Sequence, residues 1–470
     1  MHMNTQISLF LKKHKIAVLI FLIALLVRSL LFFVNFNYEN YDLISTIKGD
    51  DGYYELSRGI LLGHGFSWDA EPPFSPNPLR PPVYPFFIAG LLYFFGSYSV
   101  VLCVQILLGS IIPVLGMMLI EKVVSSKKVA IAVGLFLALE PSSVLLSSIF
   151  YTETVFMVLF FISLLFFFDY FKNPTYRNII WGSLFLGLST LTKPTVQYLP
   201  VVIPLFILWH FRKNITKKVF IHVALFVGIF IITISPWLYR NYKEFGVVGI
   251  SAQPAFNLYV YLVPSVLSVE NQTGFHEEWE KFVRKDGFDE MTITLTNSDY
   301  FIQRSIEVLK EYPVSFMKLS VSTVVTFFTH DGMLTVLQHA GYTPDSYLSK
   351  PALFLILKSP GEFFSTAGSY ITSPFVLVLI MRLIWLIITI TAILGAIQLL
   401  ISRRINTLSF FAIFLIAYFA ATSIVGGLGV NIRHRIPINL FIVMFSLLWC
   451  SNLLRRVKTI GRKINVSKVA

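Results

Sequence analysis

Two aspartates stand side by side in Gly49-Asp50-Asp51-Gly52-Tyr53-Tyr54-Glu55-Leu56, with a glycine on either flank. Adjacent carboxylates just past an apolar run can do general-base work, because one stays ionised while its neighbour orients it. A plainer role is open to the same pair, since either aspartate is suited to cap the amphipathic segment Gly52 to Leu62. Further on come Gly63-His64-Gly65-Phe66 and Leu79-Arg80-Pro81-Pro82-Val83-Tyr84-Pro85. Arg80 before two prolines is a guanidinium on a stiff turn, shaped for a phosphate or for anchoring at a membrane surface.

The elements that hold these residues follow from composition. The 470-residue chain is 55% hydrophobic and only 13% charged, where a soluble protein carries about 25% charge. A water-facing surface cannot be covered with so few polar groups, so the chain reads as a membrane protein. The +13 net charge does not point to nucleic acid, because a nucleic-acid surface gathers its bases on one soluble face. Here 20 of the 38 Lys and Arg sit in short clusters between apolar runs: Lys12/Lys13/Lys15, Lys122/Lys127/Lys128, Lys172/Arg177, Arg212/Lys213/Lys217/Lys218, Arg403/Arg404 and the tail from Arg455 to Lys468. That is the pattern of cytoplasmic loops. Cys103 and Cys450 both lie in apolar runs and define no disulfide framework.

The first run, Ile16 to Val34, is too long for a signal peptide and reads as a retained span. Further spans are expected at about 99–120, 129–148, 153–171, 178–193, 196–210, 219–236, 375–401, 405–427 and 434–452. With the N-terminus inside, every basic cluster is inside, and of the 25 acids only Glu121 and Asp169 join them. Residues 82–97 read as an interfacial or re-entrant helix. Residues 313–330 and 351–368 add either no crossing or two, giving ten to twelve spans. Three regions result: an N-terminal half, 1–236, with a first outer loop at 35–98; an outward cap at 237–374; and C-terminal spans with a basic tail at 375–470. The stretch 270–311, with ten acids against five bases, is a small helical surface module.

Asp-Asp-Gly-Tyr-Tyr, Gly-His-Gly-Phe and Arg-Pro-Pro-Val-Tyr-Pro after one N-terminal span resemble the first loop of GT-C fold glycosyltransferases. More closely, they resemble the bacterial relatives of protein O-mannosyltransferases and of the lipid A aminoarabinose transferase. Leu191-Thr192-Lys193-Pro194-Thr195 is similar to that family's Leu-Thr-Arg-Pro-Thr, with lysine replacing the bidentate arginine. Pro236-Trp237-Leu238-Tyr239-Arg240-Asn241-Tyr242 is similar to its Pro-Trp-x-x-Arg-Asn stretch, and Asn431-Ile432-Arg433-His434-Arg435-Ile436-Pro437 to its Arg-Tyr-Arg-x-Pro element.

The resemblance implies a GT-C-like all-α bundle with an outward helical cap. It implies transfer of a sugar from a polyprenyl-phosphate donor to a lipid, glycan or protein acceptor at the outer (periplasmic or extracellular) face of the cell membrane. Asp50 takes the base position because it lies four residues before Tyr54, with Asp51 as runner-up. Glu153 in Tyr151-Thr152-Glu153-Thr154 is the second acid. Arg80, Lys193, Arg240, Arg433 and Arg435 are the donor-phosphate cations, Arg435 first among them because it directly precedes Ile436-Pro437, and Tyr54 and Tyr84 face substrate. The displacement is expected to be inverting, with no cofactor or metal. Snorkelling to lipid headgroups also suits these outer cations. Arg28 and Arg382, inside spans, are either functional or paired with acids. A lipid-linked glycan flippase or other transporter, or a glycan polymerase or ligase, would be the alternative classes.

His330-Asp331 and Gly426-Gly427-Leu428-Gly429 show neither metal-ligand spacing nor a nucleotide-loop context.

Overall fold

The computed structural model describes residues 14–284, 292–344, 356, 359–402, 405–429 and 432–467, with side chains as far as 455. Lys12, Lys13, Arg403, Arg404 and Asn431, and the start of the 351–368 segment, lie outside the described residues, as do the tail side chains beyond Arg455. Everything described is helix or connection, without a strand.

α1 (Lys15–Tyr38) leads into the first long loop, which holds α2 (Leu43–Ile47), α3 (Tyr53–Leu61) and α4 (Val83–Phe95). There follow α5 (Tyr98–Val123), α6 (Lys127–Leu139), α7 (Pro141–Leu146), α8 (Glu153–Lys172), α9 (Tyr176–Thr190), α10 (Leu199–His210) and α11 (Lys217–Phe245). The cap contains α12 (Gln253–Phe256), a π-turn at Asn257–Leu262, α13 (Val263–Asn271), α14 (Phe275–Phe282), α15 (Ser298–Glu311), α16 (Pro313–Thr329), α17 (Met333–His339) and α18 (Pro360–Ile371). α19 (Val376–Ile401), α20 (Thr407–Ser423) and α21 (Asn439–Ser467) close the chain.

Seven of these helical stretches are long and apolar enough to cross a membrane, against the ten to twelve expected. The shortfall lies in three segments. The 129–148 run breaks at Glu140-Pro141, because proline cannot continue a helix and the Glu140 carboxylate instead caps α7, accepting from Ser142 N and Ser143 N. α6 is therefore only 13 residues, or about 20 Å, long. α9 and α10 stop at 15 and 12 residues. The 82–97 segment is a 13-residue apolar helix, too short to span.

α8 is the hub: 72% of its apolar window is buried, against 22% for α1. Phe156, Phe160, Phe161, Phe167 and Phe168 are wholly enclosed, so much of the phenylalanine content fills helix interfaces. Near one end of α8, Asp169 meets Lys122 at 2.5 Å. At the other stands Glu153, about 24 Å away along the axis, which places it opposite the basic-cluster side.

α19 and α21 approach closely at Gly395, where a Cβ would lie 2.2 Å from the Phe445 carbonyl oxygen. Gly395→Val should cost about 2 kcal/mol through overpacking and lower the melting temperature of the detergent-solubilised protein. An unchanged melting curve would show that the two helices do not pack this way.

Candidate active site

The site is assembled from three chain segments that meet at the Glu153 end of α8. The connection Ser147–Thr152 is pinned by Gln105, whose amide donates to Ser147 O and Ile149 O, and by Phe150 N, which donates to Ile47 O at 2.7 Å. That contact lays the connection against residues 47–51. There Gly49 and Gly52 take φ of +65° and +75°, and a Cβ on Gly52 would meet the Trp68 ring at 2.6 Å. Gly52 occupies the N-cap position of α3 with no side-chain cap, so neither aspartate caps that helix.

Asp50 and Asp51 point to different sides. Asp50 is exposed and accepts a hydrogen bond from the Tyr151 hydroxyl at 2.5 Å. Asp51 turns into a cavity of about 370 Å3, where Arg433 Nη2 donates to its Oδ2 at 2.5 Å and Arg80 Nη2 lies 3.7 Å from its Oδ1. Glu153, 2% exposed, accepts from Arg433 through Nε at 2.6 Å and Nη2 at 3.2 Å, and from Lys193 Nζ at 2.8 Å. The Arg433 guanidinium also lies over the Tyr151 ring, 4.1 Å from its centre. Burial alone would lower the pKa of Arg433, but Glu153 and Asp51 outweigh it and hold the guanidinium well above its ordinary value. Burial, then the Asp50 carboxylate, push the Tyr151 phenol up, so it keeps its proton.

Arg80 is held by its turn. Asn77 Oδ1 accepts from Leu79 N and Arg80 N, Ala252 N donates to Pro78 O, and Ser251 donates to Leu79 O. From there Arg80 Nη1 donates to Gln253 Oε1 at 3.0 Å, and Gln253 in turn donates to Asn257.

Of the ten residues the motifs single out, Asp51, Arg80, Glu153, Lys193 and Arg433 meet in this cluster, and Asp50 stands beside it. Four do not. Arg435, wholly buried, donates to Phe327 O, His330 O and Asn439 and stacks on Trp385 at 3.6 Å, so it braces the loop that presents Arg433. Arg240 donates to Asn77 O and is packed among Phe66, Trp237 and Phe245, supporting the Arg80 turn. Tyr84 is enclosed and donates to Gln105, and Tyr54 lies against Tyr98 outside the cavity. Its neighbour Tyr53 lines the cavity instead, a one-residue difference set by which face of α3 turns inward.

Of the two in-span arginines, Arg382 pairs with Asp331 at 3.0 Å, and Arg28 is buried with Nη1 donating to Ala24 O and Ala138 O. Gln253, Asn257, Thr152 and His434 also line the cavity and were not assigned to the site from sequence; Asn257, Thr152 and His434 stand within motif stretches, His434 at the tyrosine position of Arg-Tyr-Arg, and that placement alone could have pointed to them.

His434 has its pKa lowered to about 3, by burial first and then by Lys193 and Arg433.

With this geometry in place, comparison adds family context. Residues 79–239 match the family model of dolichyl-phosphate-mannose-protein mannosyltransferases, and that stretch carries Arg80, Glu153 and Lys193. Among solved structures, the chain is similar to the Archaeoglobus fulgidus oligosaccharyltransferase crystallised with zinc and sulfate, at TM-score 0.48 and 14% identity over 96% of this chain and 51% of that one. The chain thus spans about half the length of that protein. No curated protein sequence matches significantly. The family model is thus one of mannosyltransferases, in line with the glycosyltransferase class that the sequence motifs resemble.

Two outcomes test the cluster. Arg433→Met should destabilise by about 3 kcal/mol or more, because it strands Glu153 with Lys193 alone. Adding Glu153→Gln should restore part of that loss in a double-mutant cycle, and strictly additive losses would deny the pairing. The second concerns pH. The folded state holds His434 neutral far below its ordinary 6.5, so protons favour unfolding and stability falls as pH drops below about 6.5. His434→Gln should flatten the fall in melting temperature between pH 6.5 and 4; an unaltered slope would put the imidazole in water.

Proposed function

We propose that the protein transfers a sugar from a polyprenyl-phosphate donor to an acceptor at the membrane face opposite its basic loops, by one inverting, metal-independent displacement. The observation that carries this reading is the Arg80–Asp51–Arg433–Glu153–Lys193 cluster on the cavity wall. Three cations against two carboxylates leave one positive charge, with His434 neutral. That suits the single charge of a sugar phosphodiester and falls short of a pyrophosphate.

In the step itself, the acceptor oxygen or nitrogen attacks the anomeric carbon from the side away from phosphate. Asp50 accepts the proton, and it is placed for this because it is exposed and meets one phenol donor, whereas Asp51 is taken up by two guanidinium groups. The bond from the anomeric carbon to the phosphate oxygen breaks, and its electron pair leaves with polyprenyl phosphate. That product carries one more negative charge than the donor phosphodiester, and preorganised cations stabilise charge that grows in the transition state. Arg80 and Lys193, at the cavity surface, meet the phosphate, while Arg433 holds the two carboxylates in register. Glu153 orients Lys193 and Arg433 rather than the acceptor. The family match over 79–239 supports a mannosyl-phosphate type of donor.

The test uses purified full-length protein with radiolabelled polyprenyl-phosphate-mannose against a pyrophosphate-linked glycan, scoring transfer and transport separately. Transfer from the monophosphate donor is expected, with kcat lowered about 100-fold or more in Asp50→Asn. Equal use of the pyrophosphate donor, transport without transfer, or full activity in Asp50→Asn would overturn it.

A further inference from the structure

A second hollow lies on the Asp50 side of the aspartate pair, with Tyr151 in its wall. Its volume is about 310 Å3, within the range of small-molecule sites. Asn35, Glu39, Asp50 and His339 also line it, and Ile149 is its aliphatic member among the described residues. Tyr151 links the two sides, because its ring lies against Arg433, which lines the first cavity, while its hydroxyl donates to Asp50.

Three features define what would bind there. Asn35 is 3% exposed, yet its amide nitrogen and oxygen have no hydrogen-bond partner. A buried amide left in this state costs stability until a ligand or water meets it. Glu39 and Asp50 make the wall acidic, and Lys48 in the same wall is drawn off by Glu55 at 2.6 Å. An anion is therefore repelled. Carboxylates, an amide and hydroxyls around one aromatic face instead suit the several hydroxyls of a sugar ring. A peptide would want a strand edge or several apolar anchors, and among the described residues this hollow has no strand edge and Ile149 as its aliphatic member.

We propose that this second hollow binds a sugar residue of a glycan acceptor and presents one of its hydroxyls to Asp50. The inference rests on the transferase reading above and names the acceptor class for it. It also gives the two adjacent aspartates separate duties, Asp51 on the donor side and Asp50 on the acceptor side.

Its test needs neither donor nor turnover, so its failure and that of the transferase reading are separable. Ser45 is exposed at the rim. The full-length Ser45→Cys protein in lipid nanodiscs is treated with a maleimide, and modification at position 45 is followed by mass spectrometry. Maltotriose should slow modification about 5-fold when present at several times its Kd, and sodium phosphate or the tripeptide Gly-Ser-Gly should not. Asn35→Leu in the same background should remove the protection, as should the milder Glu39→Gln if the first variant fails to fold. Absence of protection by the trisaccharide, equal protection by phosphate or peptide, or protection that survives both variants would overturn the proposal.

Discussion

Glu153 begins the most enclosed helix of the bundle, at a depth where an unpaired carboxylate would lose its solvation with nothing in return. Its two oxygens accept three hydrogen bonds, two from Arg433 and one from Lys193. Those cations come from the 3-10 turn before the last span and from the turn after α9, regions more than two hundred residues apart. Arg433 then reaches on to Asp51 in the first outer loop. One buried charge thereby ties the loop, the hub helix and the C-terminal segment into a single frame, and the cavity is the space left between them.

The same pairing sets the division of labour at the aspartates. Gly49 and Gly52, both left-handed, let the chain turn sharply enough for consecutive carboxylates to face different hollows. Asp51 becomes part of the fixed cationic frame. Asp50, hydrogen-bonded by one phenol, stays outside that frame, as its proposed role of proton acceptor requires. In the proposed reaction, a phosphate entering this cavity would find its cations already placed, and they would not have to be gathered at the moment of reaction.

Around this frame runs a shell of polar side chains that meet backbone rather than ligand. Arg435 holds the Phe327 and His330 carbonyls, Arg240 holds Asn77, and Gln105 holds Ser147 and Ile149. In a chain so short of charge, fully enclosed arginines persist because aromatic faces and carbonyl oxygens take the place of water. Trp385 under Arg435 serves that purpose, and Trp237 does the same for the half-buried Arg240.

Much was legible in the chain alone. Apolar run lengths marked the long helices, because bilayer thickness and solvation act on local composition. The ordered motifs pointed to Asp50, Asp51, Arg80, Glu153, Lys193 and Arg433. Local composition could not separate Arg433 from Arg435, or Tyr53 from Tyr54, since neighbouring residues of one type differ only in direction. Nor could it show that Glu140-Pro141 ends one helix by capping the next. Direction is set by packing against distant segments: a carboxylate on α8, a carbonyl on α16, a tryptophan on α19. Such contacts exist only once the helices have closed around one another, so tertiary structure decided which cations face the cavity and which hold its walls.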